Sequence, residues 1–218
     1  MIKHIIFDLD GTIFDTSEGI LKSIKHALNF LEIKLPSEEL LKKFIGPPIE
    51  KSFEEIMNFS KNQAREAAVI FRKVYPRLYL LDAFIYNGFE KMIDEFRKKN
   101  IILSVATYKR ESYTLKLLNH FNLYDKFDFV FGSDNEGKLI KTDIVNMCII
   151  KSGVNKEETI MVGDTIHDLL AAKMLNIGFI AVTYGFGFKT EKDVLGYDCI
   201  AVCNNVDELY LNILKEQK

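Results

Sequence analysis

The chain has 218 residues, of which 48% are hydrophobic, 12% aromatic and 28% charged, which excludes a disordered or fibrous protein and allows a core without disulfides or structural metal. With 29 Lys and Arg against 31 Asp and Glu, a net charge of -2 provides no global field to gather a nucleic-acid polymer or an anionic membrane. No apolar run reaches the roughly 18 residues of a membrane span, and Asp8 interrupts the start where a signal peptide is apolar, so a cytoplasmic protein without membrane or nucleic-acid partners is expected.

Residues 2–8 form a short apolar run that reads as a buried strand. From residue 16 to residue 81 the periodicity is helical throughout, with helices predicted over 18–31 and 37–44. After a break at Pro47-Pro48, two more are predicted over 50–58 and 61–75. Strands then alternate with amphipathic helices: strands over 101–106, 129–131, 159–162, 179–182 and 200–202, helices over 88–99, 111–121, 142–151, 169–176 and 206–214. This pattern predicts an α/β fold, a doubly wound parallel sheet of about five or six strands built from residues 1–15 and 82–218. A small all-helical domain, residues 16–81, is inserted after the first strand, and its two connections permit hinge motion.

Ligands of open parallel sheets bind beyond the carboxyl ends of the strands, which is where the run Phe7-Asp8-Leu9-Asp10-Gly11-Thr12 places two acids. For a lone pair of this kind a capped turn is a serious competitor. The stretch 159–168, TIMVGDTIHD, supplies a second pair, Asp164 and Asp168, at the end of another buried strand. Four carboxylates crowded at one edge repel unless a cation holds them, and hard oxygen donors suit Mg2+ better than zinc. Thr107 and Lys141 reach the same edge with a hydroxyl and an ammonium. Acids, metal, hydroxyl and ammonium together suit a phosphate, which a carboxylate attacks only when the surrounding charge is neutralised.

The segments FDLDGTIFDT, VATYK, Lys141 and VGDTIHD, in that order along essentially the whole chain, resemble the four motifs of the haloacid dehalogenase superfamily, and the helical insert resembles its type C1 cap. Among subfamilies the chain is most similar to phosphoglycolate phosphatase-like enzymes, and FIGPP and VTYGFG resemble segments of small-molecule phosphatases or 5′-nucleotidases. The resemblance implies that Asp8 is a nucleophile carrying an aspartyl phosphate, and that Asp10 protonates the leaving alcohol and then activates water. An acid at Asp10 implies phosphate rather than carbon–halogen chemistry. Thr107, with Tyr108 beside it, is implied to bind the phosphoryl group, and Lys141 to orient Asp8. Mg2+ is implied to sit on Asp8, the Asp10 carbonyl and Asp164, with Asp168 acting through water or by positioning Lys141.

The chain departs from the pattern at three places. Tyr108 stands where relatives often have Asn or Ser, and Lys141-Thr142 replaces Lys-Pro, leaving Lys138 and Lys109 as rivals for the lysine role. Asn87-Gly88 replaces Pro-Gly, a change of turn chemistry. Asp15 and Glu18 read as capping groups for the first inserted helix. Residues 44–48, FIGPP, read equally as a specificity loop or a proline-enforced break. Cationic residues of the insert, such as Arg65, Arg72 and Lys51, read as solvated faces, and Phe53, Phe59 and Phe71 as core. His167 reads as a surface residue, residues 184–187 as a flexible loop at the site's rim, and Cys148, Cys199 and Cys203 as reduced, mostly buried thiols.

The expected activity is therefore Mg2+-dependent hydrolysis of a small phosphorylated metabolite by a monomer or homodimer. Phosphoglycolate ranks first, a nucleoside monophosphate second, and pyrophosphate or a sugar phosphate, including a mutase reaction, third. A phosphoacceptor receiver also combines clustered acids, Mg2+, Thr and Lys, but it is shorter, lacks the insert and carries its acceptor on a later strand. A non-catalytic binding protein of the same fold is the remaining alternative.

Overall fold

The computed structural model of the chain describes residues 1–46, 48–134 and 138–217. The opening apolar run forms β1 (His4–Phe7), buried at every position. The chain then turns at Gly11, whose φ of +85° lies in the left-handed region open to glycine, into the short β2 (Phe14–Asp15). Four helices follow: α1 (Ser17–Phe30), α2 (Glu38–Lys42), α3 (Ile49–Met57) and α4 (Lys61–Val74), then a π-helical turn over Tyr75–Tyr79 and the short β3 (Phe84–Ile85). The remainder alternates: α5 (Phe89–Lys98), β4 (Ile102–Arg110), α6 (Glu111–His120), β5 (Phe129–Ser133), α7 (Lys141–Ser152), β6 (Thr159–Gly163), α8 (Ile166–Leu175), β7 (Gly178–Val182), β8 (Ala201–Cys203) and α9 (Val206–Lys215).

Six strands form one sheet in the order β5-β4-β1-β6-β7-β8, every neighbouring pair parallel. The chain builds outward from β1 to β5, then returns to the other side of β1 with β6, so the strand order reverses beside β1. Such a reversal opens a crevice at the carboxyl ends of the strands. On one face Ile6, Ala106, Met161 and Ala181 pack with Ile144, Val145 and Cys148 of α7 and Leu169, Ala172 and Leu175 of α8. Phe7, of opposite parity to Ile6, instead meets Phe89 of α5 edge-on at 5.2 Å, and Phe96 of α5 lies 5.5 Å from Tyr210 of α9. Helices thus cover both faces, the expected doubly wound arrangement.

The chain divides into two compact units, Met1–Asp15 with Ile85–Lys218, and Thr16–Phe84. The second unit closes its own core around Ile24, Leu28, Leu41, Phe44 and Phe53, with Phe59 and Phe71 packed against it. Ser60 opens α4 with a capping box, its hydroxyl accepting from Gln63 N–H while Gln63 Oε1 accepts from Ser60 N–H. Arg72 donates to Glu50 at 3.2 Å on the surface of this unit.

Several local expectations are corrected. Thr16, not Asp15, is the N-cap of α1 and its side chain makes no capping hydrogen bond, while Glu18 pairs with Lys22 at 2.7 Å. Helix α2 ends at Lys42, short of residue 44, and β4 runs past Ala106 to Arg110. Pro47 lies outside the described residues; Pro48 is the N-cap of α3. Among the described residues no helix is long and apolar enough to cross a membrane. Cys148 and Cys203 are buried, Cys199 is half-buried, and burial pushes all three thiols up, Cys148 to about 12, which removes the reactive thiolate.

Candidate active site

Three strand ends deliver the polar residues to one crevice. Asp8 follows β1 and donates its N–H to Val162 O of β6 at 2.9 Å, so the two acid-bearing strand ends are hydrogen-bonded neighbours. Asp164 follows Gly163 of β6 and is fully buried. Lys141 is the first residue of α7, with its side chain 5% exposed; its Nζ donates to Asp8 Oδ1 at 2.5 Å. The same ammonium lies 2.7 Å from Asp168 Oδ1, an ion-pair distance without hydrogen-bond alignment. Asp168 Oδ2 is held by the N–H and hydroxyl of Thr165, at 3.0 and 2.6 Å, in the capping box that starts α8.

Asp8, Asp164 and Asp168 are all buried, and each offers an oxygen within 4.8 Å of the others. Burial pushes the Asp8 carboxyl up, Lys141 pulls it back, and Asp168 and Asp164 add to the rise. Burial, then the Asp168 charge, pushes Asp164 up to about 6 against the pull of the Gly187 and Phe186 N–H groups. Burial opposes the charge on Lys141, but Asp168 and Asp8 outweigh it and hold the ammonium protonated. When all three acids are ionised, three carboxylates against one ammonium leave two negative charges in a buried site. Asp164 Oδ1 is buried with no protein hydrogen-bond partner. An all-oxygen donor set, a deficit of two charges and an orphaned carboxylate oxygen fit a hard divalent cation.

Asp10 is not one of these three clustered acids. Lys109 Nζ donates to both its oxygens, at 3.0 and 2.9 Å, so the lysine weighed as a rival to Lys141 serves a different acid. Lys138, the other rival, is exposed, and its N–H donates to Asp134. Thr107 is buried and its Oγ1 accepts from Lys109 N–H at 3.1 Å, which leaves the hydroxyl proton to be donated elsewhere. Tyr108 is 43% exposed; its OH accepts from Lys141 N–H at 2.9 Å and its ring lies 5.7 Å from Lys141 Nζ. His167 is exposed and meets the Tyr108 ring edge-on at 5.6 Å.

Residues 184–187 are more than a loop at the rim. The N–H groups of Phe186 and Gly187 donate to Asp164 Oδ2 at 2.6 and 3.0 Å, and Tyr184 OH donates to Thr12 O at 3.1 Å. This loop therefore ties together the segments after β1 and β6. A Cβ at Gly185 would fall 2.5 Å from Asp164 Oδ2, so the close approach requires glycine. The readable signal is Gly-Phe-Gly three residues beyond the end of a buried strand, a backbone made to come close to something.

Residues 5–182 match the haloacid dehalogenase-like hydrolase family. A 5′-nucleotidase of Pseudomonas aeruginosa is 32% identical over 189 residues, covering 86% of each chain. Tyrosine-protein kinase PtkA of Mycobacterium tuberculosis is 29% identical over 94% of this chain and 70% of its own, and a phosphoglycolate phosphatase of Nitrosospira multiformis 27% identical over 95% and 93%. The crystal structure of a predicted phosphatase from Clostridium acetobutylicum superposes with a TM-score of 0.85 at 34% identity, covering 99% of both chains. The chain belongs to the haloacid dehalogenase-like hydrolases and is a phosphatase of that family.

Proposed function

We propose that the chain hydrolyses a small phosphomonoester through a phosphoryl group carried transiently on Asp8. The observation that carries this reading is Lys141 Nζ bridging the buried Asp8 and Asp168 beside the unpartnered Asp164 oxygen. Asp8 attacks phosphorus as the bond to the leaving oxygen breaks, and Asp10 gives that oxygen a proton. Water then attacks the phosphoryl group, Asp10 takes the water proton, and the bond to Asp8 breaks, returning the carboxylate. Lys141, hydrogen-bonded to Asp8 and ion-paired with Asp168, keeps a proton for a phosphoryl oxygen, and Thr107 donates its hydroxyl proton to another. Asp8, Asp164 and the Asp10 carbonyl would hold Mg2+, with Asp168 fixing Lys141 from behind. Mg2+ supplies positive charge that offsets the repulsion between the acids and an anionic substrate.

The substrate classes this reading favours are phosphoglycolate and nucleoside 5′-monophosphates, supported by relatives bearing the corresponding names. Phosphate release is measured over phosphoglycolate, nucleoside monophosphates, sugar phosphates and pyrophosphate, with Mg2+ and with EDTA. One of the two favoured classes is expected to be turned over best, release is expected to stop in EDTA, and Asp8→Asn is expected to lower it by at least about a thousandfold with the fold intact. Substantial turnover by Asp8→Asn would remove Asp8 as the nucleophile.

A further inference from the structure

We infer that Lys109 is a positioning residue for Asp10, holding it for the second half of the reaction, hydrolysis of the phosphorylated enzyme. The inference rests on the roles proposed above for Asp8 and Asp10. Its geometry comes from β4. Ala106 pairs with Phe131 of β5 and Arg110 pairs with Ser133, so Thr107, Tyr108 and Lys109 oppose the single residue Gly132. A bulge of this kind breaks the alternation of side chains and re-aims them. Its three residues reach three different places: Thr107 points its oxygen at Lys109 N–H, Tyr108 reaches Lys141 N–H, and Lys109 reaches Asp10. Gly132 permits the bulge, because a Cβ there would stand 2.5 Å from Glu111 N and 2.6 Å from Lys109 O.

Lys109 is 7% exposed and Asp10 25% exposed at their side chains, so this pair is largely shielded from water. Contact at both oxygens fixes the plane of the carboxylate, which a contact at one oxygen does not. Each oxygen keeps a second lone pair outside that contact, available to a water proton. With both oxygens accepting from Lys109, the carboxylate is oriented as an acceptor, the part it takes toward water in the second half. Lys109 keeps its own protons throughout, and the proton that moves passes from water to Asp10 as the phosphorus–Asp8 bond breaks. Loss of Lys109 therefore slows dephosphorylation more than phosphorylation.

An aryl phosphate separates the two halves, because p-nitrophenolate leaves without needing a proton. With saturating Mg2+ and p-nitrophenyl phosphate, Lys109→Met is expected to give a burst of one p-nitrophenolate per enzyme, then a steady rate lowered roughly 10- to 100-fold. KM falls in the same proportion and kcat/KM stays at the wild-type value, which also shows that the variant is folded. Lys109→Arg, which can make the same two-point contact, restores the steady rate. Should Lys109→Met fail to fold, Lys109→Gln replaces it and is expected to show the same burst. A fall of kcat and kcat/KM together without a burst, or no change in either, overturns the inference. Asp8→Asn run in parallel separates the readings: turnover there defeats the aspartyl-phosphate reading itself, whereas an inactive Asp8→Asn beside a burst-free Lys109→Met defeats only the role of Lys109.

Discussion

His4 shows how a single buried residue sets the response to acid. Its Nε2 lies 2.7 Å from Ser104 Oγ, its Nδ1 is buried without a partner, and burial, opposed in part by Asp128, lowers its pKa from 6.5 to about 4. The folded chain thus keeps this imidazole neutral while the unfolded chain protonates it below about pH 6.5, so between pH 6.5 and 4 the unfolded state binds the extra proton. The full contribution is present above pH 6.5 and is lost as pH falls through that window, reaching about 3 kcal/mol at pH 4. Urea titrations of wild type and His4→Gln between pH 7 and 4.5 are expected to show a shallower decline for the variant. Parallel declines would locate the acid sensitivity elsewhere.

Among the elements, helix α8 shows a cap that is also part of the site. Thr165 closes the first turn while its N–H and hydroxyl hold Asp168 Oδ2, leaving Oδ1 toward Lys141. Thr165→Ala is expected to cost about 1 kcal/mol of stability in chemical denaturation, with Thr165→Ser close to wild type. The long alternating elements and the two acid pairs were legible because each is a local pattern: an apolar run of strand length, a helical period, an acid just beyond a strand. Strands β2 and β3 were not, since two residues carry no period. Nor was the use of Lys109. The sequence places it two residues after Thr107, and only the unequal pairing of β4 with β5 turns it toward Asp10. The grip of residues 186–187 on Asp164 was hidden for a similar reason, because backbone N–H groups leave no residue type to read.

For the molecule as a whole, the unbalanced charge at the three acids means that a divalent cation should act as a stabiliser as well as a reactant group. A ligand bound only by the folded state at a hundred times its dissociation constant adds about 2.7 kcal/mol. Urea midpoints in MgCl2 are expected to exceed those at matched ionic strength without divalent ions, and Asp164→Asn to shrink the difference. Equal midpoints would mean that these carboxylates do not bind the ion. The sheet order carries a further consequence, for biosynthesis. Strand β1 is made well before either of its neighbours, which begin at Ile102 and Thr159. At roughly 5–20 residues per second, it waits on the order of 5–20 s for the first of them. Over that interval Thr16–Phe84, with a core of its own, is synthesised in full. The apolar segment His4–Phe7 stays unpaired on the nascent chain, so the strand that ends in the nucleophile is also the one most in need of a chaperone's cover.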